Sequence, residues 1–221
     1  MAKGKVTVDG LEGPFEDEPP PILAAKYWVS NADLIADVAK LGYLKKADVV
    51  LDPTYGKGIW WKKWRPERLF HHDLSNGPEY DFRNLEMYTD GFFDAIAFDP
   101  PYVSVGGRST SGMKDMYEAF GLMDAPTTPL LVQSLINDGL DEMHRLVKPR
   151  GIVLVKCQDY ISSGKLWPGT HYTLTHALAI GFELLDRLEH LSKASRAQPS
   201  GRRQMHARRN LSTMFVLRKG R

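Results

Sequence analysis

Cysteine is nearly absent from this chain of 221 residues. The single Cys157 excludes an internal disulfide and fits a reducing compartment. Long apolar runs are also missing. The longest, such as Ala95-Ile96-Ala97-Phe98 and Ile152-Val153-Leu154-Val155, end at polar residues well short of a membrane span. Met1 to Gly10 lacks the apolar stretch of a secretory signal, so the expected location is the cytoplasm, with no membrane partner. With 19 Gly and 14 Pro against 43% apolar residues, the composition excludes a collagen-like or wholly disordered chain. No segment reads G-x-x-x-x-G-K-[ST], which excludes a P-loop. No metal site is expected: His71 and His72 are adjacent, and neighbours on a strand point to opposite faces. One ordinary soluble domain remains, large enough to bury a substantial core.

Net charge is +2, but it is unevenly spread. Residues 1–20 hold two Lys against five acids, whereas residues 193–221 hold nine Lys/Arg and no acid. A basic end on a near-neutral chain suggests contact with a polyanion, although a solvated tail gives the same count. The first 21 residues, ending in Glu18-Pro19-Pro20-Pro21, read as a flexible or extended lead-in.

From residue 22 the chain alternates helical and strand-like patterns, the mark of an α/β domain with a mainly parallel sheet. Ser30 or Asn31 caps a helix bearing Leu34, Ile35, Val38 and Leu41, stopped by Gly42. Thr128 and Pro129 open a second, and a third runs from Thr170 to Ile180. Strands are expected at 47–51, 68–72, 92–98 and 152–155, the last entered through a Pro149-Arg150-Gly151 turn. Two more, at 182–191 and 211–217, read as a closing antiparallel pair. Residues 103–126 are rich in Gly, Ser and Thr without a clear period, as a long loop would be.

In an open α/β sheet, ligands bind outside the carboxyl ends of the strands. Two unusual sequences stand there. The first is Leu51-Asp52-Pro53-Thr54-Tyr55-Gly56-Lys57-Gly58, whose glycines allow a tight turn and close backbone approach to a ligand. A nicotinamide dinucleotide site would want a third glycine where Trp61 stands, so the turn suits a nucleoside without a pyrophosphate cradle. Asp73, at the end of the next strand, is placed to accept from ribose hydroxyls, and Asp81-Phe82 to offer an acceptor and an apolar surface to adenine. Each acid alone reads as a turn or capping residue; their spacing after the glycine turn favours the ligand reading.

The second sequence, Asp99-Pro100-Pro101-Tyr102, directly follows an apolar strand. Its chance occurrence in such a chain is on the order of one in a thousand. An amine on an aromatic ring is a poor nucleophile because its lone pair is delocalised. Two acceptors aimed at its N–H groups, the Asp99 carboxylate and the Pro100 carbonyl, localise that lone pair and stabilise the positive charge that develops on alkylation. The prolines stiffen the backbone, and Tyr102 supplies a face for the base to stack on.

These residues resemble the amino-methyltransferases that use S-adenosylmethionine. Leu51 to Gly58 looks like their cofactor-binding motif, and Asp99 to Tyr102 like their DPPY catalytic motif. The resemblance spans roughly residues 22–219. It implies a Rossmann-like class I fold with a seven-stranded sheet, and Asp52, Pro53, Thr54, Tyr55, Gly56, Gly58, Asp73, Asp81 and Phe82 as cofactor-binding residues. It implies methyl transfer to an exocyclic amine, most frequently adenine-N6 in DNA, with RNA amines or cytosine-N4 as alternatives. The motif order resembles the gamma arrangement of DNA methyltransferases, which usually append a target-recognition domain; none is expected within these residues. Selectivity would then fall to the loops at 103–126 and 192–210 or to a partner, or be weak. In the second loop Lys193, Arg196, Arg202, Arg203, His206, Arg208 and Arg209 form an acid-free strip suited to backbone phosphates, or else a solvated hairpin. A catalytically silent nucleic-acid-binding module on the same scaffold is the non-enzymatic alternative. Trp60, Trp61 and Trp64 read as packing rather than a base platform, Cys157 as inert, and Gln158 and Asp159 as edging the target pocket.

Overall fold

The computed structural model describes residues 23–104, 126–192, 205–207 and 209–221. The lead-in at 1–21 and most of both expected loops lie outside the described residues.

Helix α1 (Asn31–Lys40) begins where Ser30 Oγ accepts from the Asp33 amide at 3.4 Å, and Gly42, at φ +82°, follows its end. Thr128 caps α2 (Pro129–Leu146) in the same way, accepting from the Leu131 amide at 3.3 Å. Helix α3 spans Gly169–Ala179. The strands are β1 (Tyr27–Trp28), β2 (Val49–Asp52), β3 (Arg68–His71), β4 (Phe93–Phe98), β5 (Val147–Cys157), β6 (Tyr160–Ser162), β7 (Lys165–Trp167), β8 (Phe182–Leu191) and β9 (Leu211–Lys219).

Seven of them form one sheet in the order β1-β8-β9-β5-β4-β2-β3, and β6 pairs with β7 in a separate hairpin. The expected α/β class and mixed seven-stranded sheet are therefore present. The reversed element is β9 alone, antiparallel to both β5 and β8, while β8 pairs in parallel with β1. The expected turn at Pro149-Arg150-Gly151 is a correction. Pairing with β4 starts at Phe93–Val147, breaks at a bulge where Arg150 has φ +64°, and resumes at Ala95–Ile152.

Strand alternation feeds two cores. Phe93, Ile96 and Phe98 of β4, Val153 and Val155 of β5, and Phe215 and Leu217 of β9 share one core with α2. Ala95, Ala97, Leu154, Met214 and Val216 face the other way, onto Leu34, Ile35 and Val38 of α1 and onto Trp60 and Trp61. Gly139 lets α2 lie close to the sheet, since a Cβ there would sit 2.5 Å from the Phe98 ring. Layers of helix thus cover both faces, and the carboxyl ends of β2, β4, β5 and β8 come out at one edge.

Candidate active site

The residues after β2 and β4 meet at that edge. Thr54 joins them: its Oγ1 accepts from the Asp99 amide at 2.9 Å and lies 3.5 Å from Asp52 Oδ1. Asp52, at the end of β2, is buried and accepts from the Thr54 amide at 3.0 Å and the Trp61 indole at 2.7 Å. Burial raises its pKa to about 7, the two donors pulling against that and the nearby Asp99 charge reinforcing it. Pro53 sits buried behind it.

The glycine turn is fastened to the end of β3. The Tyr55 amide donates to the His72 carbonyl at 3.0 Å, and the Tyr55 ring stacks on His71 at 4.2 Å. Asp73 Oδ2 accepts from the Gly56 amide at 3.0 Å, while its Oδ1 takes the Ser75 amide and hydroxyl. Gly56 and Gly58 have φ of +51° and +62°, in the left-handed region that side chains disfavour. A Cβ on Gly58 would stand 2.5 Å from the Tyr55 ring. Asp73 is therefore a clasp of the turn. Its Oδ2, with one partner, keeps room for another donor.

Asp99 follows β4, with Pro100 and Pro101 buried behind it. Its Oδ2 accepts from the Trp60 indole at 3.2 Å and lies 3.7 Å from Lys156 Nζ. Its Oδ1 is buried and has no hydrogen-bond partner. Burial raises the pKa of this carboxyl, against the pull of Lys156 and Trp60. Tyr102 packs partly against the main core and offers a ring face 5.9 Å from Lys156 Nζ. A cleft of about 150 Å³ lies between the two motifs, lined by Asn31, Asp52, Thr54, Tyr55, Gly56, Lys57, Ile59, Trp60 and Asp99.

Two expected contacts are displaced. Phe82 is 2% exposed, packed edge-on against Phe98 at 5.2 Å inside the main core, so it has no surface to give an adenine ring. Asp81 is occupied by Arg83, which binds both carboxylate oxygens. Asp159 likewise is a helix cap rather than a pocket edge, accepting from the Thr170 amide and hydroxyl. Of the basic strip only His206 and Arg209 are described. His206 pairs with the Gly164 carbonyl at 2.9 Å. The Arg209 carbonyl accepts from the Gln158 side chain at 3.0 Å, which holds Arg209 at the end of β5. Lys193, Arg196, Arg202, Arg203 and Arg208 lie outside the described residues.

Sequence reasoning missed three participants. Trp60 and Trp61 are buried, as expected of packing residues, yet each indole N–H also holds one of the two site carboxylates. Lys156 is 3% exposed and reaches the site from β5. Strand alternation was the available signal: Lys156 shares the face of Leu154, which packs toward α1 and Trp60. Cys157 turns to the other core, where burial pushes its thiol pKa up. His72 stacks on Tyr80 at 4.7 Å and meets the Tyr88 hydroxyl. Among the described residues, no three His, Cys, Asp or Glu side chains gather as metal ligands, and no helix is long and apolar enough to cross a membrane.

No family model and no curated protein matches the sequence. Solved structures do. A Streptococcus thermophilus protein provisionally named a hemolysin is similar over 86% of this chain and 66% of its own, at 11% identity and a TM-score of 0.50. A protein from Thermus thermophilus provisionally named a DNA modification methylase, in complex with S-adenosyl-L-methionine, is similar over 63% of this chain and 53% of its own, at 17% identity and a TM-score of 0.41. The N-methyltransferase NodS from Bradyrhizobium japonicum WM9, in complex with S-adenosyl-L-homocysteine, is similar over 85% and 86%, at 11% identity and a TM-score of 0.45. The chain spans about half the length of the methylase it matches. At these identities the likeness is one of fold.

Proposed function

We propose that this protein transfers a methyl group from S-adenosylmethionine to the exocyclic amine of a nucleobase, adenine in DNA before RNA amines or cytosine. The observation that carries the reading is Asp99: a carboxylate fixed by two buried prolines, with one oxygen partnerless beside a cleft. A buried acceptor left unmade costs about 1–3 kcal/mol, which an incoming N–H donor restores.

The donor set suits a cationic cofactor. Asp52 is a buried carboxylate with no cationic partner among the described residues, and the cofactor carries an ammonium and a sulfonium. Asp52, Pro53, Thr54, Tyr55, Gly56, Gly58 and Asp73 are the residues that would hold it, and the cleft of about 150 Å³ takes part of such a ligand within its walls. Asp81 serves only if Arg83 is displaced. The cofactor supplies an electrophilic methyl group when bound.

The chain's own residues do the rest. Asp99 and the Pro100 carbonyl accept from the target amine, localising its lone pair as the N–C bond forms, and Tyr102 gives the base a face to rest on. The alkylated nitrogen is acidic enough to shed its proton without a strong base. Positioning supplies most of the rate. A base inside a duplex must be flipped out or presented single-stranded. The topology supports a polymer: β8 ends and β9 begins at the site edge, with the Ser192 amide on the Asn210 carbonyl at 2.8 Å. The basic segment between them thus starts from the end of β8 and rejoins the sheet at the start of β9, on the carboxyl-end edge of β5.

Incubation with radiolabelled cofactor and either DNA or RNA, followed by nucleoside analysis, tests the reading. Label in N6-methyladenine is expected with DNA; label in RNA alone reassigns the polymer. Asp99→Ala is expected to abolish transfer while leaving cofactor affinity largely intact. Full activity of that variant refutes the assignment.

A further inference from the structure

Lys156 is a charged group where charge is expensive. An ammonium is not kept in a protein interior unless its surroundings pair it. At 3% exposure, it has four partners on three separate segments. Asn31, at the first turn of α1, accepts from Nζ at 3.0 Å. The rings of Trp60 and Tyr102 each lie 5.9 Å from it. Asp99 Oδ2 stands at 3.7 Å, close enough for charge to act and too far for a hydrogen bond. The lysine is therefore braced by neutral groups and directed at one oxygen of the carboxylate, whose other oxygen is partnerless.

We propose that Lys156 is a positioning residue for Asp99: its braced ammonium keeps the carboxylate ionised, engages Oδ2 with Trp60, and leaves Oδ1 as the free acceptor for the target amine. This deepens the methyl-transfer reading and rests on it for the role of Oδ1. The charge relation between the two residues stands on geometry alone.

The alternative is a lysine buried only to fill space and satisfy Asn31. The two differ in what a neutral replacement does to Asp99. Without a cation beside it, a buried carboxylate holds its proton to higher pH. The other groups facing this pair are Asp52 from the end of β2, Tyr102 on the segment of Asp99, and His190 from β8 near Lys156. Asp52, once ionised, adds a like charge near Asp99 that acts in the same direction as loss of the lysine, so it must stay unchanged in the comparison.

The experiment is a pH titration of the free protein with 13C-labelled aspartate carboxyls, following Asp99 by NMR, its signal assigned by difference with Asp99→Asn. Lys156→Met and Lys156→Gln remove the charge with different side-chain polarity, and Lys156→Arg keeps it. The Asp99 midpoint is expected to rise by about one to three pH units in Met and Gln and to return toward wild type in Arg. An unchanged midpoint in either neutral variant overturns the proposal, whatever the protein catalyses. The acid limb of kcat for methyl transfer is expected to move with that midpoint, with KM for the cofactor within about twofold. A wild type that titrates as stated but transfers no methyl group to any nucleic acid refutes the methyl-transfer reading and leaves the Lys156–Asp99 coupling standing.

Discussion

Replacing Asp52 with Asn removes one titrating group at the centre of the cleft while keeping its size and its acceptor for the Thr54 amide. Burial holds the folded carboxyl at about 7 against 3.8 for the free group. A carboxyl raised in this way binds its proton more tightly in the fold than in the unfolded chain. Its contribution to stability is full below pH 3.8 and is lost as pH climbs through 7. At 1.36 kcal/mol per unit, the total is about 4 kcal/mol, of which about 2 kcal/mol falls between pH 5 and pH 7. Against this, Asn turns an N–H toward the Trp61 indole, a loss of about 1 kcal/mol that does not vary with pH. The stability of Asp52→Asn relative to wild type is therefore expected to improve by about 2 kcal/mol from pH 5 to pH 7. Groups common to both proteins cancel in this difference, apart from Asp99, which shares the cleft. Urea unfolding followed by tryptophan fluorescence at half-unit pH steps measures it. A difference that stays constant within about 0.5 kcal/mol refutes the claim that burial raises the Asp52 pKa.

Two further outcomes follow from the same geometry. Affinity for S-adenosylmethionine is expected to rise roughly tenfold from pH 6 to pH 8, as Asp52 ionises to meet the cofactor's positive charge; calorimetry showing a flat profile would remove Asp52 from that role. Gly58→Ala places a Cβ in left-handed backbone against the Tyr55 ring, at a cost of about 1–2 kcal/mol before the ring moves. A loss of thermal stability together with weaker cofactor binding is expected, and unchanged values of both would mean that the turn is not under this constraint.

The framework of the site was legible because it depends on local pattern. Apolar runs ending in Asp52 and Asp99 mark strand ends, and Ser30 and Thr128 mark helix starts, without reference to anything distant. The parts that escaped notice depend on contacts across the chain. β1 is two residues long and exists as a strand only because β8 passes beside it. Trp60 reaches Asp99 over 39 residues, and Lys156 reaches Asn31 over 125; no spacing rule carries such pairs. Phe82 shows the converse failure. An aromatic beside an acid reads equally as a ligand surface or as core, and packing against Phe98 decided for the core. Arg150 is a third case: Pro-Arg-Gly spells a turn, yet neighbouring β4 draws the residues before it into the ladder and leaves only a bulge.

The place of β9 bears on how this molecule is made. It is the last strand to leave the ribosome among those described, yet it lies inside the sheet, between β5 and β8. Until it arrives, no strand pairing among the described residues joins β8 and β1 to the half-sheet of β3, β2, β4 and β5, which already carries both acidic motifs. The nascent protein must hold the flank of β5 unzipped through synthesis of β8 and the basic segment, with Val153 and Val155 short of neighbours. That interval is when a chaperone would find the most to bind, and when a stray strand from another copy would find an open berth.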